Sequence, residues 1–146
     1  MKFTLDANVL VASAREGEIH HAASRRFLRE AVDRSGEFIC PILVLPECGA
    51  AVARATGESA QAEKFLRDVQ GLPALGLVTL DMRLAGRGAE IAIAHRLRGS
   101  DALYVTVAEV FAATLITWDA EMLERAPAIV PTMTPADWLV RQQEHP

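Results

Sequence analysis

The chain alternates short apolar runs with longer segments whose apolar residues recur at helical spacing. Phe38–Pro41 is one such run, and it follows a segment, His21–Arg34, whose Ala, Phe, Leu and Val residues share one helical face. This alternation is typical of βαβ units, which form a parallel sheet with helices on both sides. We therefore predict an α/β protein with a three-layer α/β/α fold around a mostly parallel sheet, and residues 1–146 as a single domain.

The predicted elements follow from apolar period and from the residues that begin or end a helix. Strands are predicted at Lys2–Leu5, Phe38–Pro41, Leu77–Leu80, Thr114–Trp118 and Ile129–Val130. Helices are predicted from Asn8 to near Gly17, at His21–Arg34, from Pro46 to Ala55, at Ser59–Gln70, from Met82 to about Arg98, from Asp101 to Phe111, at Ala120–Arg125 and at Pro135–Arg141. Asp81 precedes the fifth of these helices and is expected to cap its N-terminus.

Two acidic residues directly follow predicted strands. Asp6 leaves the strand Lys2–Leu5, and Asp119 leaves the run Thr114–Trp118, which is rich in β-branched and aromatic residues. The carboxyl ends of parallel strands form the crevice where open α/β sheets bind ligands. We therefore expect the two carboxylates to face each other, although they come from opposite ends of the chain.

Two further acids lie in the first turns of predicted helices. Glu47 follows Pro46, which suits a first helical turn, and Asp101 follows Gly99-Ser100. Acidic residues are common in first turns, where free N–H groups and the helix dipole favour negative charge. Taken alone, each of these two is better explained as an ordinary helix-start residue than as a member of a shared site.

A cluster of four carboxylates requires a cation, because close like charges raise each other's pKa. Oxygen ligands suit Mg²⁺ or Mn²⁺, and the chain has no cysteine or histidine pair at zinc spacing. One or two such ions can polarise a phosphate and lower the pKa of a water molecule. The predicted chemistry is phosphodiester hydrolysis by Asp6, Glu47, Asp101 and Asp119.

Charge and composition restrict the class of protein further. A formal net charge of −4 argues against a chain that coats nucleic acid through bulk electrostatics, but site carboxylates contribute to that sum and metal would neutralise them. No apolar run approaches the roughly 18 residues of a membrane span, and no signal peptide is recognisable. Cys40 and Cys48 lack metal spacing and are expected to be buried, reduced thiols, which favours a cytoplasmic protein.

The segments around the four acids resemble the motifs of the PIN-domain family. Leu5-Asp6-Ala7-Asn8-Val9-Leu10 looks like the opening motif, and Leu45-Pro46-Glu47 with Arg54 resembles the second. Ser100-Asp101-Ala102 matches the third, and Ile116-Thr117-Trp118-Asp119 the fourth. The similarity spans nearly the whole chain in order, and the size is closest to the VapC-like toxins, the ribonuclease halves of toxin–antitoxin pairs.

The resemblance implies a Mg²⁺- or Mn²⁺-dependent endoribonuclease that acts on single-stranded or structured RNA. Its metal ligands would be the four acids, with Asn8 and Thr117 as supporting polar residues. The resemblance also implies a homodimer and a cognate antitoxin protein that enters the cleft. Pro46 departs from the family pattern, in which Ser or Thr often precedes the glutamate, and it removes a backbone donor.

Several other interpretations stay open at the level of sequence. An RNA- or protein-binding module without cleavage and a stand-alone RNA-processing nuclease are the alternatives to a toxin. A phosphoryl-transfer enzyme with Asp6 as nucleophile would want an acid where Asn8 stands. His20 and His21 are expected on the surface or at a helix start, and Trp118 and Trp138 in the core or an interface rather than in a base-stacking surface.

Overall fold

The computed structural model describes residues 1–144. Its five strands form one sheet in the order β3-β2-β1-β4-β5, and each neighbouring pair is parallel. The strands are β1 (Lys2–Leu5), β2 (Glu37–Pro41), β3 (Leu75–Val78), β4 (Thr114–Ile116) and β5 (Thr132–Met133). The predicted α/β class is confirmed, and the sheet is parallel throughout rather than mostly parallel.

Eight α-helices connect and follow the strands within the described part of the chain. They are α1 (Ala7–Ala14), α2 (His21–Asp33), α3 (Val44–Thr56), α4 (Ser59–Gln70), α5 (Met82–His95), α6 (Gly99–Phe111), α7 (Ala120–Arg125) and α8 (Pro135–Glu144), with a 3₁₀ turn at Ala126–Ala128. Asp81 caps α5 as predicted, since its Oδ1 accepts the N–H of Leu84 at 2.8 Å.

The winding of the chain places a crevice between β1 and β4. From β1 the chain moves through β2 to β3 on one side, and it then crosses back to add β4 and β5 on the other side. Right-handed crossovers in opposite directions put helices on both faces of the sheet. The segments that leave β1 and β4 therefore depart towards opposite faces, which opens a crevice at their carboxyl ends.

The core holds β1 in a fixed position at the centre of the sheet. Phe3 is buried and meets Phe27 of α2 and Trp138 of α8 edge to face, with ring centroids 5.4 and 5.8 Å apart. The ring centroids of Phe27 and Trp138 are 5.2 Å apart, so α8 packs directly against α2. Aromatic contacts of this kind contribute about 0.5–1.5 kcal/mol each beyond their buried area. The strand that carries Asp6 at its end is thus rigidly held.

Two strand predictions are wrong in position. The fifth strand is Thr132–Met133 and not Ile129–Val130, because those two residues leave a 3₁₀ turn and Val130 is buried there without joining the sheet. The third strand is Leu75–Val78 rather than Leu77–Leu80, and Leu80 is exposed. Both predictions were based on runs of apolar side chains. Such runs do not show which residues form the backbone hydrogen bonds of a strand pair.

Several helix ends also differ from the predictions. The first helix ends at Ala14 rather than near Gly17, and the fifth ends at His95 because Arg96 takes the left-handed conformation with φ 54°. The third helix begins at Val44, so Pro46 and Glu47 still lie in its first turn. Arg98 therefore lies outside α5 and immediately before α6.

Two composition-based expectations concern the membrane and the cysteines. Among residues 1–144, no helix is long and apolar enough to cross a membrane. Cys40 and Cys48 are buried free thiols, as predicted. Burial raises the pKa of both to about 12, so they stay protonated at neutral pH.

Candidate metal centre

All four predicted acids line one open cleft at the carboxyl ends of β1 and β4. The cleft has a volume of about 360 Å³, and its walls also carry Asn8, His20, Arg98 and Trp118. Asp6 follows β1 and Asp119 follows β4, while Glu47 comes from the first turn of α3 and Asp101 from the first turn of α6. The structure therefore brings together the four carboxylates that the strand-end and helix-start positions suggested.

Asp6 is the most deeply buried of the four, with 7% of its surface exposed. Its Oδ2 accepts a hydrogen bond of 2.7 Å from the hydroxyl of Thr117, which is fully buried. Burial raises the pKa of Asp6 to about 6, the Thr117 hydrogen bond opposes that rise, and the charges of Asp101 and Glu47 add to it. The three carboxylates are thus close enough to affect one another electrostatically.

Asn8 and Thr117 connect the segment after β4 to the start of α1. The Asn8 Oδ1 accepts the backbone N–H of Trp118 at 3.2 Å, and the Thr117 Oγ1 accepts the N–H of Asp119 at 3.0 Å. These bonds fix the loop that carries Asp119 against the element that carries Asp6. Both residues thus have a supporting position beside the acids.

Glu47 is half-buried and faces Tyr104 of α6. Burial raises the pKa of Glu47, the nearby Tyr104 hydroxyl opposes the rise, and the charge of Asp101 adds to it. Within the described residues, the buried Glu47 Oε1 and the Tyr104 hydroxyl have no partner with good hydrogen-bond geometry. An acceptor oxygen that is buried without a donor is costly, and a cation would satisfy it.

Arg98 links the remaining two acids. Its Nε lies 3.2 Å from Oδ2 of Asp101, and its Nη2 lies 3.4 Å from Oδ2 of Asp119. Asp101 is only 8% exposed, and burial raises its pKa, while the Arg98 charge opposes that rise. The Arg98 side chain is 71% exposed, so these ion pairs are weak and the guanidinium is free to leave.

Asp119 also has a structural role that the sequence argument did not assign to it. Its Oδ1 accepts the N–H of Met122 at 2.9 Å and caps α7. The strand β4 ends at Ile116 rather than at Trp118, so two residues, Thr117 and Trp118, separate it from the acid rather than none. Asp119 therefore has one oxygen engaged in the cap and the other on Arg98.

The donor set fits a hard divalent cation, although its geometry is not that of a closed metal site. Oxygen atoms of four carboxylates are the ligands that Mg²⁺ and Mn²⁺ prefer. In residues 1–144, however, no three Asp, Glu, His or Cys side chains are grouped closely enough to hold an ion as they stand. The contacts of Arg98 with Asp101 and Asp119 account for part of this spacing, because they direct two carboxylate oxygens towards the guanidinium.

The cleft walls differ from the sequence expectation in three side chains. Arg54 lies exposed in the last turn of α3, about 10 Å along the helix from Glu47, and is not a wall residue. Arg98 takes the position beside the acids instead, and its i,i+3 spacing to Asp101 was the available signal. Trp138 is buried in the core, as expected, whereas Trp118 packs against the core but also lines the cleft, where it stacks on His20.

The fold and the cleft define an α/β protein with an acidic cleft at the carboxyl ends of the central strands of a parallel sheet. Residues 3–128 match the family model of the PIN domain. The chain therefore belongs to the PIN domain family, as its motifs suggested. A comparison with curated proteins found no match.

Solved structures with the same fold include toxins and toxin–antitoxin complexes. VapBC2 from Rickettsia felis, bound to a promoter DNA fragment, matches with a TM-score of 0.71 and 16% identity over 92% of this chain and 98% of that chain. VapC20 from Mycobacterium tuberculosis, described as a sarcin-ricin loop cleaving toxin, matches with a TM-score of 0.72 and 14% identity over 84% of this chain and 93% of that chain. The protein PAE2754 from Pyrobaculum aerophilum matches with a TM-score of 0.68 and 24% identity over 99% of this chain and 100% of that chain. At these identities the likeness establishes the fold alone.

Proposed function

We propose that this PIN-domain protein is a Mg²⁺- or Mn²⁺-dependent endoribonuclease that hydrolyses RNA phosphodiester bonds. The observation that carries the proposal is the convergence of Asp6, Glu47, Asp101 and Asp119, from four separate elements, on one open cleft. Membership of a family of nucleases supports the same reaction class. These four residues would hold one or two ions.

The metal ion, when bound, supplies Lewis acidity at the phosphate and lowers the pKa of a water molecule. The residues of the chain provide the arrangement around it. Thr117 and Asn8 orient Asp6 and the loop of Asp119 through the bonds described above. Arg98 is a mobile cation at the cleft, suited to the phosphate oxygens of RNA once Asp101 and Asp119 turn to the metal.

A cleavage assay tests the proposal. Purified protein is incubated with a mixed RNA pool and Mn²⁺ or Mg²⁺, and products are separated by gel electrophoresis. Cleavage should stop in excess chelator and fall at least about 100-fold in Asp6→Asn, because one essential ligand charge is removed. The matched control is Asp68→Asn, which changes an exposed carboxylate paired with Lys64 and should cleave normally. Equal cleavage by the Asp6→Asn variant would exclude the mechanism.

The biological role that we propose is that of a toxin held inactive in the cytoplasm by a cognate antitoxin. The support is the likeness in fold to VapBC2 and VapC20. Induced expression should arrest growth, and co-expression of a small neighbouring reading frame should relieve the arrest. If neither effect occurs while RNA is cleaved, a stand-alone RNA-processing nuclease is the better assignment. If the protein binds RNA without cleaving it, an RNA-binding module is the better assignment.

We also propose a homodimer that forms through α5. Met82, Gly86, Ala89 and Ile93 are exposed along this helix at the spacing of one face, which leaves an apolar stripe open to solvent. Ile93→Asp should convert a dimer into a monomer in light scattering, because a charge would be buried in the interface. Val140→Asp on α8 is the control, since it changes an exposed apolar residue elsewhere. A monomeric wild-type protein would contradict the assignment.

A further inference from the structure

The cleft has an aromatic wall that the acid chemistry does not use. The rings of His20 and Trp118 stack with centroids 3.8 Å apart and planes 6° from parallel. Both residues line the same cleft as Asp6, Glu47, Asp101 and Asp119. Carboxylates and metal ions act on phosphate, whereas a stacked pair of flat rings offers a surface for another flat ring.

Hydrogen bonds hold the indole of this pair in a fixed orientation. The indole Nε1 of Trp118 donates to Oγ of Ser24 at 2.8 Å, and Ser24 is fully buried in α2. The backbone N–H of Trp118 is bound by Asn8, and the N–H of Ser24 is bound by the carbonyl of His20 at 3.0 Å. The platform is thus pre-organised, and a ligand that stacks on it loses little free energy in ordering side chains.

The residue that precedes His20 in the sequence is an exposed isoleucine. Ile19 is 89% exposed, and the residues on either side of it, Glu18 and His20, both line the cleft. An isoleucine so exposed beside a polar cleft gives nothing to the stability of the isolated chain. Burial of this apolar side chain by a bound molecule would be favourable.

We propose that His20, backed by Trp118 and flanked by Ile19, forms a subsite for one unpaired nucleobase of an RNA strand in the cleft. The inference rests on the proposed function, since the phosphate next to that base would lie among the acids. A base within a duplex is stacked between its neighbours and cannot present its face to a side chain. The subsite therefore selects a single-stranded or extruded nucleotide beside the bond to be cut.

The test compares two fluorescently labelled probes in binding to the whole chain with Mg²⁺. One is an eight-nucleotide oligoadenylate with phosphorothioate linkages, checked on a gel to remain intact, and the other has the same length and linkages but abasic sugars. Both probes carry the same charge, so a difference in affinity reports the bases alone. We expect the oligoadenylate to bind at least about fivefold more tightly, which is the lower end of base stacking on an aromatic side chain.

Substitutions at His20 test whether the difference in affinity between the two probes comes from the His20–Trp118 pair. His20→Ala should abolish the preference for the oligoadenylate, and His20→Phe should retain it, because a phenyl ring also stacks. His95→Ala, which changes a histidine at the end of α5, should leave it unaltered. Trp118 and Trp138 are the only tryptophans in the sequence, and Trp138 is buried in the core, so quenching of tryptophan emission by the oligoadenylate reports binding beside Trp118.

The outcomes separate this inference from the proposed function. Absence of any preference in the wild type, or the same preference in His20→Ala, overturns the subsite. Equal KM values for RNA in the wild type and His20→Ala, with cleavage intact, overturn the subsite and leave the nuclease standing. A base preference that depends on His20 in a protein that cleaves no RNA supports the subsite and overturns the nuclease.

Discussion

The hydroxyl of Thr117 donates a hydrogen bond of 2.7 Å to Asp6, a residue 111 positions earlier in the chain. The same oxygen accepts the backbone N–H of Asp119 at 3.0 Å. A single buried hydroxyl thus joins the acid that follows β1 to the acid that follows β4. The geometry of the cleft depends on this link more than on any contact at its rim.

Thr117→Val removes that hydroxyl while it preserves the shape of the side chain. We expect the free energy of unfolding to fall by about 1–3 kcal/mol, because the Asp6 carboxylate loses a charge-assisted hydrogen bond in a buried place. Urea denaturation at neutral pH measures the change. The control is Thr106→Val, which removes an equally buried hydroxyl whose bond to the Ala102 carbonyl is local to α6 and should matter less. Equal losses in the two variants would contradict a special role for Thr117.

The raised pKa of Asp6 predicts how stability depends on pH in the absence of metal. Its folded pKa is about 6 and its ordinary value is 3.8, so the unfolded chain releases the proton first as pH increases. This group therefore favours folding below about pH 4 and loses that contribution between about pH 4 and pH 6. At pH 7 the cost is about 3 kcal/mol, at about 1.4 kcal/mol for each pKa unit.

Asp6→Asn should consequently stabilise the metal-free protein at pH 7. The gain, measured by urea denaturation in chelator at pH 5 and at pH 7, should be larger at the higher pH, because a neutral amide carries no desolvated charge. Divalent metal should stabilise the wild type and not the variant. A gain that is the same at both pH values would show that the Asp6 charge is not its source.

Arg98 competes with metal for the same two carboxylates. Its guanidinium contacts Oδ2 of Asp101 and Oδ2 of Asp119, both of which are proposed ligand atoms. Arg98→Ala should therefore bind Mn²⁺ more tightly, by roughly twofold to fivefold for two exposed ion pairs, in isothermal titration calorimetry. Its affinity for RNA should fall, since a phosphate-binding cation is lost.

Arg87→Ala is the matched control for that experiment. Arg87 also makes two ion pairs, with Glu90 and Glu109, but these lie on α5 and α6 away from the acids. The Arg87→Ala variant should bind Mn²⁺ with the same affinity as the wild type. A similar gain in both variants would point to net charge rather than to competition at the site.

Sequence predicted the position of the acids better than their surroundings. Asp6 and Asp119 were expected at the carboxyl ends of parallel strands, and short-range patterns suffice for that because each acid lies within three residues of its strand. The stack of His20 on Trp118 and the contact of Arg98 with Asp119 join residues far apart in sequence. Such contacts depend on how the helices and loops are placed in three dimensions, which apolar spacing does not encode.

The errors in the fold have a similar origin. β5 contains two residues, Thr132 and Met133, and a strand this short gives no alternation to recognise. Ile129 and Val130 attracted the prediction because they are apolar and adjacent. These two residues are packed beside the 3₁₀ turn. The prediction that they are shielded from solvent was therefore correct, but the prediction that they pair with a strand was wrong.

The approach of β1 to the end of α2 predicts a stability effect at Gly36. A Cβ atom there would lie 2.8 Å from the carbonyl oxygen of Ala31 and 3.1 Å from the ring of Phe3. Gly36→Ala should therefore destabilise the fold by about 1–3 kcal/mol in thermal or urea denaturation, since a backbone atom cannot move aside cheaply. Gly86→Ala in α5 meets nothing within 4 Å and should stabilise by about 0.5–1 kcal/mol. A gain at Gly36 would contradict the packing described for β1.

The position of β1 between β2 and β4 sets the order in which a newly made chain can become active. Lys2–Leu5 leave the ribosome before their partner Thr114–Ile116 and the hydroxyl that orients Asp6, which follow more than a hundred residues later. Until then the four acids belong to separate segments. A nascent or truncated chain that lacks β4 has no assembled cleft, so the proposed ribonuclease would gain its activity only after β4 has been made.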